Sequence, residues 1–236
     1  MLQLSGLSWP TPDFSTLSRR QQTLNVQIPY TRSQAGLHLL VDSTGMKFLG
    51  EGEWKRKKHG SEYRRQWRKL HIGIDAHTMQ IRAIGVTSNN VSDAAVIADL
   101  LDQLPQDEKL ESLTGDGAYD TKQVYEAVIE HDATPIIPPR KNARIRKGKA
   151  FAHRNAAIAA CKRLGRGIWE VWSGYHRRSL VETKMNCIKR LGERVMSRTF
   201  ERQVNELHIR VAILIDLLNW ADLRWQPWHS HCQGLG

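Results

Sequence analysis

Residues 37–48, LHLLVDSTGMKF, set Asp42 directly after an apolar run of β character, with Ser43, Thr44 and Gly45 expected to turn the chain away. Residues 111–120, ESLTGDGAYD, repeat the arrangement: a short β-like run, then Asp116, then Gly117. Carboxylates placed where strands give way to turns can point into a shared cleft. Taken one at a time, each aspartate reads equally well as a turn or cap residue. Asp116 has two rivals: Asp120, expected to cap the helical run TKQVYEAVIEH, and Asp75, which ends the strand-like KLHIGID.

Outward from these stretches, LHLLVDST, MKFLGEGEW, QWRKLHIGIDA and QIRAIGVTS read as β runs, separated by HT before Met79 and by glycines 50, 52 and 60. VSDAAVIADLLDQL reads as a helix with Ser92 as N-cap and Pro105 closing it. A strand ESLTGD, the helix TKQVYEAVIEH and a short strand ATPIIPP follow. Beyond Pro139 the pattern turns helical through HRNAAIAACKRLGR, the segment around Glu182 and FERQVNELHIRVAILIDLLNW. The order predicts an α/β fold: a mixed sheet of three antiparallel strands then two parallel ones, flanked by helices. If the Asp116 strand pairs beside the Asp42 strand, the two aspartates become neighbours. That is the topology of the ribonuclease-H-like fold.

A third carboxylate comes from residues 173–193, SGYHRRSLVETKMNCIKRLGE. At about 100° per residue, Tyr175, Arg178, Glu182 and Lys189 fall within roughly 60° of one helix face. Leu180, Met185, Ile188 and Leu191 form a neighbouring apolar stripe. Such a charged face is also what a solvated, salt-bridged surface looks like, with Arg178 and Lys189 pairing to Glu182 and Glu193. Packed across the sheet, it would bring Glu182 between the two aspartates. Three clustered carboxylates need a cation to relieve their repulsion, and hard oxygen donors suit Mg²⁺ or Mn²⁺.

The chain has 236 residues, with 35 Lys and Arg against 24 Asp and Glu, a formal charge of +11 that favours a polyanionic partner. No run approaches the ~18 apolar residues of a membrane span, and the N-terminus does not read as a signal peptide. Cys161, Cys187 and Cys232 show no C-x-x-C pairing and are expected to be reduced thiols of the cytosol. His71, His153 and His176 lack metal-ligand spacing. Lys55, Arg56, Lys57, Lys58, Arg64, Arg65, Arg68 and Lys69 are opposed only by Glu62, and read as a rim binding nucleic-acid phosphates or, structurally, as a solvated edge that discourages strand-to-strand aggregation. Arg140, Lys141, Arg144, Arg146, Lys147 and Lys149 form a second basic stretch, read as a loop. Residues 1–36 read as an N-terminal arm, 37–214 as the main domain and 215–236 as a tail rich in tryptophan (Trp220, Trp225 and Trp228).

The segments VDSTGMKFLGEGEWKRKKHG, RRQWRKLHIGIDA, GDGAYDTK, IPPRKNA and WSGYHRRSLVETKMNCIKRLGER resemble bacterial insertion-sequence transposases of family five, in the DDE class with a Y-R-E-K signature. Tyr175, Arg178, Glu182 and Lys189 match its Y-x2-R-x3-E-x6-K spacing, and the likeness runs from about residue 8 to about residue 212. The resemblance implies that Asp42, Asp116 and Glu182 are the catalytic carboxylates and hold two Mg²⁺ ions, with Mn²⁺ as a substitute. It further implies that Tyr175, Arg178 and Lys189 contact DNA, and that the protein cuts and joins double-stranded DNA at terminal inverted repeats and target sites. A homodimer on DNA, in the bacterial cytoplasm at the nucleoid, is the expected working form. Some related transposases stack a flipped base on an aromatic residue between the second aspartate and the glutamate. Trp169 and Trp172 fall in that interval, though their spacing also suits core packing. Members usually carry a further N-terminal region that reads inverted repeats, which this sequence is expected to lack, and its ending departs from the family's. Two alternatives follow: a catalytically silent DNA-binding remnant that inhibits the full-length transposase, and a structure-dependent nuclease.

Overall fold

The computed structural model describes residues 11–33, 35–48 and 67–224. Helix α1 (Phe14–Thr23), capped by Asp13, is followed by extended chain and strand β1 (Leu37–Phe48). Then come β2 (Trp67–Asp75), β3 (Ile81–Ser88), a 3₁₀ turn at Asp93–Val96 and α2 (Ile97–Leu101). Strand β4 (Leu110–Thr114), a 3₁₀ turn at Gly117–Tyr119, α3 (Lys122–Glu130) and β5 (Thr134–Ile136) complete the α/β half. After a loop that ends in a 3₁₀ turn at Lys149–Phe151 come α4 (Ala152–Leu164), α5 (Arg166–Trp172), a 3₁₀ turn at Tyr175–Arg178, α6 (Ser179–Arg190), the two-residue strand β6 (Arg194–Val195) and α7 (Phe200–Arg224).

The sheet order is β3-β2-β1-β4-β5, with β1–β3 antiparallel and β4 and β5 parallel to β1. This is the ribonuclease-H-like α/β arrangement, with helices on both faces. Alternation along β1 sends Leu37, Leu39 and Val41 to one face, where they pack with Val96, Leu100, Val124 and Val128. Leu40 and Met46 go to the other face, against Val181, Met185, Ile188, Leu207 and Val211. Asp42 shares that second parity, so its side chain lies on the α6 side.

The turn expected at residues 43–45 does not form: β1 is a single strand of 12 residues and Asp42 lies inside it. Pairing with β2 runs unbroken from Leu39↔Asp75 to Lys47↔Trp67, and this outweighs the local turn preference of Ser, Thr and Gly. Gly45 serves a close approach instead, since a Cβ there would stand 3.3 Å from Cδ1 of the Trp67 indole. The helix expected over residues 91–104 is also shorter. Its start is 3₁₀, Ser92 makes no side-chain cap, and beyond Leu101 the Gln103 amide bonds both the N–H and the carbonyl of Ile84. Helix α7 continues past residue 214 to Arg224, whereas Trp225 and Trp228 lie outside the described residues.

Among the described residues, β1 is paired on its β4 side at Leu37–Leu40 and again, with β6, at Lys47 and Phe48. Between these the sheet opens beside Asp42, because β4 ends at Thr114 and turns through Gly115 into Asp116. Gly115 is required for that departure: a Cβ there would lie 2.7 Å from the ring of Tyr119, which is 1% exposed. Gly115→Ala is expected to cost ~1–3 kcal/mol in urea unfolding, since the buried ring has nowhere to go.

Candidate active site

Three elements bring the carboxylates together. Asp42 is carried by the middle of β1, with one oxygen accepting from the Ser43 N–H at 2.8 Å. Asp116 caps the 3₁₀ turn after β4, accepting from the Ala118 N–H at 2.7 Å. Glu182 stands in the first turn of α6, whose buried stripe of Val181, Met185 and Ile188 seats the helix on the sheet. Asp116 is thus a cap residue and a neighbour of Asp42 at once.

Arg178 sits at the centre. Its guanidinium reaches Asp42 at 3.1 Å with one nitrogen and Glu182 at 2.9 Å with the other. Burial pushes the Asp42 carboxyl above its ordinary range, against the Ser43 N–H and Arg178, and repulsion from Asp116 and Glu182 adds to it. Partial burial opposes charge on Arg178, yet Asp42, Tyr175, Glu182 and Asp116 together hold its pKa up. Among the described residues no group of three His, Cys, Asp or Glu side chains stands ready to hold a metal ion. The donor chemistry nevertheless suits a hard cation: Asp42 and Glu182 share one guanidinium, and Asp116 lies near enough to act on the Asp42 charge. The Glu182 side chain is 52% exposed, which leaves it free to change rotamer.

The rivals are spent on structure. Asp75 pairs with the buried Arg82 at 3.0 Å and takes the Thr78 hydroxyl at 2.8 Å. Asp120 does not cap α3, a place taken by Thr121; it is buried against Arg154 at 2.6 Å and accepts from the Tyr125 hydroxyl.

The single helix expected from Tyr175 to Leu191 is interrupted. Tyr175 and Arg178 occupy a 3₁₀ turn begun by the left-handed Gly174, and α6 starts at Ser179. The tighter 3₁₀ turn brings Tyr175 against Trp169, with ring centroids 5.7 Å apart, and burial raises its hydroxyl pKa. Arg178 does pair with Glu182, as the surface reading required, but among the described residues no ion pair joins Lys189 to Glu193. Trp169 is 3% exposed and belongs to the core, whereas Trp172 is 76% exposed. Lys55, Arg56, Lys57, Lys58, Arg64 and Arg65 fall outside the described residues. Arg68 is engaged within the protein: its Nε donates to Gln203 at 2.6 Å and its guanidinium lies over Phe200. Lys69 is likewise engaged, with Asp93 at 3.1 Å and the Val91 carbonyl at 2.8 Å.

Sequence reasoning missed the polar group behind Asp42. The Ser43 hydroxyl donates to Asp93 at 2.9 Å, and Asp93 also takes Lys69. His71, fully buried, bonds Thr87 and points its other nitrogen toward Asp93 at 3.8 Å. Burial raises the Tyr119 hydroxyl pKa, with Asp93, Asp42 and Asp116 adding, and that hydroxyl has no hydrogen-bond partner among the described residues. Alternation in LHLLVDST could have flagged Ser43 as facing away from Asp42, but nothing local links it to Asp93, 50 residues on.

A mixed five-strand path, with an acidic residue on its central strand, another beyond the adjacent parallel strand and a third on the covering helix, defines a ribonuclease-H-like α/β domain. The family described as Transposase DDE domain matches residues 33–215, and a second of the same description matches residues 1–51. The chain belongs to the DDE transposase domain family. Among solved structures it is similar to a chain of the cryo-EM structure of the simian T-cell lymphotropic virus intasome in complex with PP2A regulatory subunit B56 gamma. The identity is 13% and the TM-score 0.30, over 81% of this chain and 62% of that one.

Because the folded state raises the Asp42 pKa, ionising it costs stability as pH rises from 3.8 through the folded value. Asp42→Asn is therefore expected to raise Tm at pH 7, with the gain fading as pH falls toward 4. Scanning calorimetry across that range checks the sign.

Proposed function

We propose that this chain is a cut-and-paste DNA transposase of insertion-sequence family five, with Asp42, Asp116 and Glu182 as its catalytic carboxylates. The observation that carries this is one guanidinium shared by Asp42 and Glu182, with Asp116 close enough to raise the Asp42 pKa. Family membership supports the reaction class, and the Y-R-E-K spacing of Tyr175, Arg178, Glu182 and Lys189 supports the narrower family.

The three carboxylates would hold divalent metal ions, Mg²⁺ by preference and Mn²⁺ as a substitute. Such ions, when bound, lower the pKa of an attacking water and offset charge on the phosphorus and the departing 3′-oxygen. Before DNA arrives, Arg178 balances the carboxylates. Its planar fork matches a phosphate as well as a carboxylate, so it can pass from Glu182 to the phosphate beside the scissile bond. The Tyr175 hydroxyl adds a directional hydrogen bond, and Lys189 meets a phosphate further along the strand. In strand transfer the freed 3′-hydroxyl replaces water as nucleophile. Two element ends must be processed together, which favours a dimer on double-stranded DNA.

Alanine at Asp42, Asp116 or Glu182 is expected to lower cleavage of end-containing duplex by ~10³-fold or more while DNA binding stays within about threefold. Cleavage retained in all three variants would overturn the assignment. Lys189→Ala is expected to flatten the plot of log affinity against log salt by about 0.9, the share of one neutralised phosphate. An unchanged slope would remove Lys189 from the interface.

A further inference from the structure

The loop between β5 and α4 presents Arg140, Lys141, Arg144, Arg146, Lys147 and Lys149, and none of them is in an ion pair among the described residues. Elsewhere Arg82, Arg154, Arg178 and Arg210 are each neutralised by a carboxylate. Six like charges left together on one short loop repel one another, and a polyanion relieves that repulsion.

The loop is held in one shape from beneath. Arg154, 4% exposed, grips Asp120 and donates to the Arg144 carbonyl at 2.7 Å. Asn155 bonds both the N–H of Arg146, at 3.1 Å, and its carbonyl, at 2.7 Å. Arg146 lies over the Phe151 ring, and at the loop's base Arg140 donates to the Gly117 carbonyl, one residue from Asp116. Main chain is therefore fixed on both sides of Ile145, and Ile145 itself is 70% exposed. A branched apolar side chain, rigidly displayed between two arginines, is the combination that enters a minor groove and wedges between base pairs. Its flanking guanidinium groups suit the negative potential of that groove.

We propose that residues 140–149 form a preorganised arm that seats Ile145 in the minor groove of DNA beside the active site, with Arg144, Lys147 and Lys149 on the bordering phosphates. The proposal rests on the DNA-transposase reading above. It gives the buried Asp120–Arg154 pair a purpose, since that pair fixes the arm relative to the turn bearing Asp116.

The test uses the full chain and a 30-base-pair mixed-sequence duplex labelled at both ends for energy transfer, with Ca²⁺ in place of Mg²⁺. Wild type is expected to bind the duplex and to bring its ends closer by bending it. Ile145→Ala is expected to abolish the bend and weaken binding about fivefold with an unchanged salt slope, and Ile145→Leu to restore the bend. A triple variant, Arg144→Gln with Lys147→Gln and Lys149→Gln, is expected to flatten the salt slope by about 0.9 for every phosphate these side chains neutralise in the wild type. If wild type binds and Ile145→Ala bends DNA equally, or the triple variant keeps the full slope, the arm is refuted while the transposase reading stands. If wild type does not bind the duplex, the transposase reading fails, and this proposal with it.

Discussion

The cost of holding a charged Asp42 partly out of water is the constraint that the arrangement around it answers. Asp42 lies inside a strand whose neighbours are apolar, and burial alone raises the free energy of its charge. Arg178 offsets that cost because the 3₁₀ turn before α6 aims its guanidinium down onto β1 while leaving a second nitrogen for Glu182. The same turn pins Tyr175 to Trp169, so the cation is positioned by packing as well as by charge.

Around this centre, ion pairs of two kinds do different work. Asp75–Arg82 and Asp120–Arg154 are almost fully enclosed: the first braces the β2–β3 hairpin and the second joins the turn after β4 to α4, rather than meeting solvent or ligand. Removing one partner from such a pair strands a buried charge, which costs several kcal/mol, so these are positions of scaffold. Arg178, Glu182 and Asp42 are more open, and an open network can exchange partners when a stronger anion arrives.

The gap in β1's pairing has the same logic. A continuous β4 would have covered the edge of β1 at Asp42; instead β4 stops after Thr114, and Gly115 lets the chain swing over Tyr119. Behind the strand, Ser43, Asp93, Lys69 and His71 fill space next to the opening with bonded polar groups, where an apolar core would have left the Ser43 and Lys69 donors unsatisfied. The site is a controlled interruption of the sheet, braced on its reverse face.

Much of this could be read along the chain. Apolar runs marked β1–β5 and 3.6-residue periodicity marked α3, α4, α6 and α7, because these depend on neighbours within a few residues; their order then suggested the ribonuclease-H-like topology, while the two-residue β6 left no such pattern. Asp42 and Asp116 stood out where apolar runs give way to polar residues, and Glu182 through its place on a charged helix face. What local pattern could not supply was competition between distant partners. Asp120 looked like a helix cap until Arg154 claimed it, and Ser43–Gly45 looked like a turn until β2 paired with them. Those outcomes were decided only in the tertiary structure, because the energy of a buried charge or a strand register is set by groups that sequence separates by tens of residues.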